Sequence, residues 1–215
     1  MTLTYILEIM PQVLEGLKVT LEIFALTLIL SIPLGIVVAV MRTSKLLIIR
    51  QISGIYVLIM RGTPLLLQII IIFFGLPIVG ITFDRFPAAI LAFTLNYGAY
   101  FGEIFRSGIM SIDDGQVEGA QVLGLSSKNI FFRIILPQAF KRVIPPVANE
   151  ITTLVKDTSL VYVLGLDEML KIGKMAANRD VSLMPLLIVG VVYLIVIAIL
   201  SQVLKKIEEK YDYYK

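Results

Sequence analysis

Five ionisable side chains stand inside otherwise apolar stretches of this chain: Arg61, Glu103, Glu150, Lys156 and Asp157. At the centre of a bilayer an ionised group costs about 2.5–3.5 kcal/mol, so such groups must pair with one another or line a watered cavity. Helical spacing favours the cavity. Asn96, Tyr100 and Glu103 recur at i, i+4 and i+7, and Glu150, Thr153 and Asp157 at i, i+3 and i+7, one stripe in each case. Arg61 and Gln68 are also seven apart, with Thr63 between Gly62 and Pro64. The candidate pathway residues are therefore Arg61, Thr63, Asn96, Tyr100, Glu103, Glu150, Thr153 and Asp157. A structural alternative stands beside several of them. Arg61 could pair with a carboxylate to lock the bundle, Tyr100 could be packing, and Lys156 reads best as an ion-pair partner near the outer surface.

The elements that position these groups are transmembrane helices. Of the 215 residues 58% are hydrophobic, with a mean hydropathy of +0.91, whereas a soluble domain has about 45–50% apolar residues. Ile23–Met41, Gly62–Phe83, Phe86–Gly102 and Val181–Leu204 carry no charge, and a hydrocarbon core is crossed by about 20 helical residues. Five spans are expected, at about 17–41, 52–77, 86–110, 141–163 and 182–204, in one all-α domain over 1–215. The fourth is the least apolar, and charge balance supports it. With the N-terminus outside, twelve Lys and Arg fall inside (Arg42, Lys45, Arg50, Arg106, Lys128, Arg133, Lys141, Arg142, Lys205, Lys206, Lys210, Lys215). Five fall outside: Lys18, Arg85, Lys171, Lys174 and Arg179. The positive-inside rule selects this orientation, and omitting the fourth span would put the basic tail on the wrong side. Leu3, Ile6, Leu7 and Met10 suggest a short interfacial helix ending before Pro11, without the basic start of a signal peptide. Leu166, Met169, Leu170 and Gly173 predict a helix lying on the outer surface. Gly62-Pro64 and Pro145-Pro146 are expected to interrupt spans two and four, freeing backbone groups that a cavity or a neighbouring helix must satisfy.

No histidine, cysteine or tryptophan occurs. Thiolate and imidazole nucleophiles, His or Cys metal sites and disulfides are thereby excluded, and an intramembrane enzyme has little support. The net charge of +3 reflects membrane orientation rather than nucleic-acid binding.

The long inner loop, about 111–127, carries start and stop signals for a short helix. Asp113 or Asp114 can cap its N-terminus, Glu118 sits near the positive end of the helix dipole, and Gly124 can end it in the left-handed conformation. Ser126 or Ser127 can then cap a helix running to Pro137. A helix this short spans nothing, so it lies on the membrane or docks into a partner.

Glu118-Gly119-Ala120, followed by Gly124, Ile134 and Leu136-Pro137, resembles the EAA loop of ATP-binding-cassette importer permeases, with Gly119 where the family triplet has alanine. Arg61-Gly62-Thr63-Pro64, Gly98-Ala99-Tyr100-Phe101-Gly102-Glu103, Leu136-Pro137-Gln138-Ala139 and Lys156-Asp157-Thr158-Ser159 are similar to the branch that imports polar amino acids. The resemblance implies a type I importer fold in a bacterial inner membrane. It also implies a second permease subunit, identical or not, two cytoplasmic ATPases and an extracytoplasmic binding protein. Residues 113–125, with Glu118, Gly119, Ala120 and Gly124, would then be the ATPase-coupling segment. ATP and Mg would belong to the partner, because this chain has no phosphate loop and is expected to carry no catalysis or cofactor of its own. Three intramembrane acids against two bases lean towards arginine, lysine or histidine as cargo. A glutamine or glutamate permease is the alternative, and an ion-coupled secondary carrier without an ATPase dock is the more distant one.

Overall fold

The computed structural model describes residues 3–211, all α-helical or 3-10 and π turns joined by short links; Lys215 of the basic tail lies outside them. The first helix, α1, runs unbroken from Leu3 to Arg42 with Pro11 and Pro33 inside it. This corrects the expectation of a separate helix ending before Pro11: the helix that carries the first span begins well ahead of residue 17. Ile9 and Val13, on either side of Pro11, are buried against Met169, Ala176, Ile188 and Val189. That packing offsets the hydrogen bond the proline removes. Leu7 is exposed.

Helix α2 (Leu47–Gly62) and helix α3 (Leu65–Ile70) form one passage bent by 105°. The break falls at Thr63-Pro64, where Thr63 is extended at φ −121° and ψ 149°, as a residue before proline prefers. A wide π turn at Ile71–Gly75 and a 3-10 turn at Leu76–Val79 complete the passage.

Helix α4 (Arg85–Met110) lies against α1 along most of its length. Their backbones approach closely because the contact is made at glycines. A Cβ on Gly35 would fall 2.6 Å from Phe101 Cβ, and one on Gly102 would fall 2.5 Å from Val38 Cγ1. Small residues at helix crossings serve this purpose in membranes, where no hydrophobic effect drives helices together. The central core gathers Ile23, Ile69, Phe93, Phe101, Leu154 and Val161 around that contact.

After the loop helix α5 (Asp114–Val122), a four-residue helix α6 (Ser127–Ile130) continues through a π turn at Phe131–Ile135 into α7 (Leu136–Asp157). The helix expected to end at Pro137 therefore runs on, and Pro145-Pro146 sits within α7 without breaking it. Buried Val143 and Ala148 bracket the two prolines and hold α7 in place. A 3-10 segment, Thr158–Leu164, extends α7 and ends at Gly165 with φ +77°.

Helix α8 (Met169–Arg179) begins with Glu168 as its cap, whose carboxylate accepts from the amides of Leu170 and Lys171, each at 2.6 Å. Its buried face, Met169, Gly173, Ala176 and Ala177, packs on α1 and on the last helix, α9 (Met184–Tyr211). The Tyr5 hydroxyl donates to Asp180 at 2.5 Å, tying α1 to the end of α8. Arg179 beside it holds the Asp180 carboxyl down at about 2.

By length and apolar composition, α1 and α9 are able to cross a membrane, and the passage from α2 through α3 to Val79 makes a third if the bent pair is one span. Helices α4 and α7, with 26 and 22 residues, are long enough but too polar to meet that measure.

Candidate substrate cavity

Pro64 has no N–H to give the carbonyl of Met60 one turn back, so the bend orphans that acceptor. Two buried amides take it over. Asn96 Nδ2 donates to Met60 O at 2.8 Å and Gln68 Nε2 donates to it at 2.9 Å. Gln68 Nε2 also reaches Thr63 O at 3.2 Å and Thr63 Oγ1 at 2.8 Å, while Gln68 Oε1 accepts from Asn96 Nδ2 at 3.0 Å. Tyr56 fastens α2 to α4 separately by donating to Leu95 O at 2.6 Å.

The bend opens a cavity of about 620 Å³ between α2–α3, α4 and α7, within the range of about 300–1,000 Å³ common for small-molecule sites. Arg61, Thr63, Asn96, Tyr100, Glu150, Thr153 and Asp157 all line it. The helical registers on α4 and α7 thus converge on one space. Arg61 places its guanidinium over the Tyr100 ring, 5.1 Å from the centroid. Among the described residues no carboxylate lies within ion-pair distance of Arg61. On the opposite wall Asp157 Oδ2 accepts from the Tyr97 hydroxyl at 2.8 Å. Lys156 is exposed and does not line the cavity.

Glu103 stands elsewhere. Its Oε1 accepts from Arg106 Nη2 at 2.5 Å and Nε at 2.9 Å, and its Oε2 lies 3.7 Å from Arg42 Nε on α1. This corrects its placement among the pathway residues. Glu103 does not line the cavity, and its carboxylate is taken up by Arg106 on its own helix and by Arg42 on α1.

The loop helix α5 is built as its signals require. Asp113 Oδ1 accepts from Gly115 N at 2.8 Å. At the other end Gly124 has φ +74°, with Gly124 N donating to Gln121 O at 2.9 Å and Leu125 N to Ala120 O at 3.1 Å. These two bonds form a Schellman cap. Ser126 then caps α6 through Asn129 N. Ala120 faces inward, whereas Glu118, Gly119, Val122 and Leu123 are exposed. Val122 and Leu123 thus form an exposed apolar tip on a polar loop.

Residues 31–212 match the family of binding-protein-dependent transport system inner membrane components. The chain belongs to that family. It is an amino-acid ABC importer permease subunit and a protein of the inner membrane. Similar proteins include the arginine transport system permease protein ArtQ of Bacillus subtilis, 39% identical over 93% of this chain and 92% of its own length. The L-cystine transport system permease protein TcyB of the same organism is 38% identical, covering 95% and 88%. GlnP of Rickettsia typhi, whose name assigns it to glutamine transport, is 35% identical, covering 97% and 98%. Among solved structures, a chain of an amino acid ABC transporter with histidines superposes with a TM-score of 0.91 at 28% identity, covering 98% of this permease and 99% of that chain. The MetNI methionine ABC transporter in an inward facing conformation shares the fold, with a TM-score of 0.74 at 19% identity and the same coverage.

One cavity residue, Tyr97, and one residue behind the bend, Gln68, escaped sequence reasoning. Tyr97 lines the cavity and binds Asp157, yet a tyrosine in an apolar helix reads as packing. Gln68 was visible only as a polar residue in register with Arg61; nothing local signals the Met60 carbonyl that it satisfies.

Proposed function

We propose that this permease carries cationic amino acids through the cavity at the α2–α3 bend, driven by ATP hydrolysis in a partner that docks on α5. The carrying observation is the charge balance of the cavity wall. Arg61 faces Glu150 and Asp157 across one space, while Glu103 is already paired to Arg106 and Arg42. A zwitterionic substrate sets its carboxylate on Arg61, with the Thr63 hydroxyl beside it. One of the two acids receives the α-ammonium. The other acid is then left buried without a counter-charge unless the substrate side chain is itself a cation. Arginine, lysine and histidine meet that condition; glutamine and glutamate do not. The relatives' names divide among arginine, cystine and glutamine, so the preference rests on these charges.

Coupling follows from the exposed face of α5, where Glu118, Gly119, Val122 and Leu123 form the surface offered to the ATPase. Magnesium and ATP sit on that partner. A second permease subunit, two ATPases and an extracytoplasmic binding protein complete the importer, and the protein itself performs no catalysis.

Competition for uptake in proteoliposomes holding the full complex tests the reading. Arginine and lysine are expected to displace one another and to outcompete glutamine and glutamate. Glu150→Gln should weaken cationic cargo by about 1.5–3 kcal/mol, the worth of a charge-assisted hydrogen bond, and weaken neutral cargo less. If glutamine outcompetes arginine in the unaltered complex, the charge argument is wrong.

A further inference from the structure

Gln68 itself does not line the cavity, yet its side chain determines where the cavity's bend can sit. It lies on α3 one turn after Pro64, 7% exposed, and reaches back across the break to Met60 O, Thr63 O and Thr63 Oγ1 while accepting from Asn96. Both ends of the amide are thus committed. The NH2 group spreads two protons over three acceptors on the α2 side of the bend, and the carbonyl oxygen is held by α4.

We infer that Gln68 is a positioning residue for substrate recognition, a buried amide clasp that sets Arg61 and Thr63 against the acids of α7. This rests on the cavity being the substrate site. The geometry narrows the residue type that can serve. Asparagine is one methylene too short to span from α3 to Met60 O. Glutamate has the length but, when ionised, only acceptors to offer to three acceptors. Methionine fills the volume and makes no hydrogen bond. The orphan carbonyl of Met60 exists because Pro64 lacks an N–H, so Gln68 and Pro64 operate as one device: the proline opens the bend and the glutamine fixes its angle. Asn96, a lining residue, shares the same carbonyl. Loosening Gln68 therefore frees both walls of the carboxylate-binding half of the cavity at once, while α5, more than 40 residues away in the chain, is untouched.

The test is direct binding of radiolabelled arginine, and in parallel glutamine, to the permease–ATPase complex in lipid nanodiscs without the binding protein. Gln68→Met and Gln68→Glu are compared with the unaltered protein and with Glu150→Gln. For both Gln68 variants the dissociation constant of the better-bound amino acid should rise on the order of tenfold. The number of sites per complex and the rate of ATP hydrolysis without amino acid should be unchanged. A merely structural role would instead lower the number of sites and keep the constant. A Gln68→Met constant within about twofold of the unaltered one, with Glu150→Gln weakened, overturns the clasp and leaves the cavity assignment standing. No change in any variant overturns both. If Gln68→Met does not assemble, Gln68→Glu, which preserves shape and the acceptor for Asn96, decides by the same criterion.

Discussion

Tyr97 on α4 donates its hydroxyl to Asp157 at the end of α7, 2.8 Å away, across 60 residues of sequence. Tyr97 is 2% exposed and its ring lies between those of Phe93 and Phe101, so the donor is held rigidly by packing. The acid on that wall of the cavity is thereby held in place.

Tyr97→Phe removes only that donor. The loss in stability should be about 1.5–3 kcal/mol, the range for a hydrogen bond to a charged group. Combined with Asp157→Asn, the two effects should be non-additive by at least about 0.5 kcal/mol. Thermal or denaturant unfolding of the detergent-solubilised protein measures the cycle. Strict additivity would mean that the bond contributes nothing.

Glu103→Gln separates the ion-pair cluster from the cavity. It should destabilise the α1–α4 contact by about 1–3 kcal/mol through the unpaired Arg106 and Arg42, and leave the ranking of arginine over glutamine in uptake competition unchanged. A reversed ranking would return Glu103 to the pathway.

Gly124→Val forces a β-branched residue to φ +74°, at a cost of about 1–2 kcal/mol. The Schellman cap should open, while the spans still insert. Substrate-stimulated ATP hydrolysis in the assembled complex should fall sharply or the ATPase should fail to copurify. Normal stimulation would show that α5 does not couple.

Orientation is readable by chemistry because the chain has no cysteine. Cysteines placed at Ser44 and Ser127 should react with an impermeant thiol reagent only from the cytoplasmic side, and one at Ser182 only from outside. Labelling of Ser127→Cys from outside would overturn the N-out arrangement.

What the sequence made legible was local. Asp113, Gly124 and Ser126 act within a few residues of themselves, and Pro64 breaks the helix on its own account, so those features could be placed by inspection. Periodicity did the same for Asn96 with Tyr100 and for Glu150, Thr153 and Asp157. It could not say where each stripe ends, and Glu103 was lost to arginines, one of them 61 positions earlier on another helix. Pro11 and Pro145-Pro146 misled for the related reason that tertiary packing on α8, α9 and α4 outweighs a local penalty. Gln68 belongs with these: its importance lies in a carbonyl orphaned on a neighbouring turn, and a residue string does not display that.

The polarity of α4 and α7 carries a consequence for how the protein is made. Insertion into lipid favours helices of high apolar character, and these two fall short of that measure while α1 and α9 do not. As the ribosome delivers the chain in order, α4 meets an α1 already in the membrane, whose Gly35 face offers it a close fit. Then α7, whose Glu150 and Asp157 are partly buried, has to shelter those two acids against that pair. Substitutions of cavity residues should thus be screened for insertion yield as well as uptake, since the same polar side chains that line the cavity weigh on whether their helices enter the bilayer.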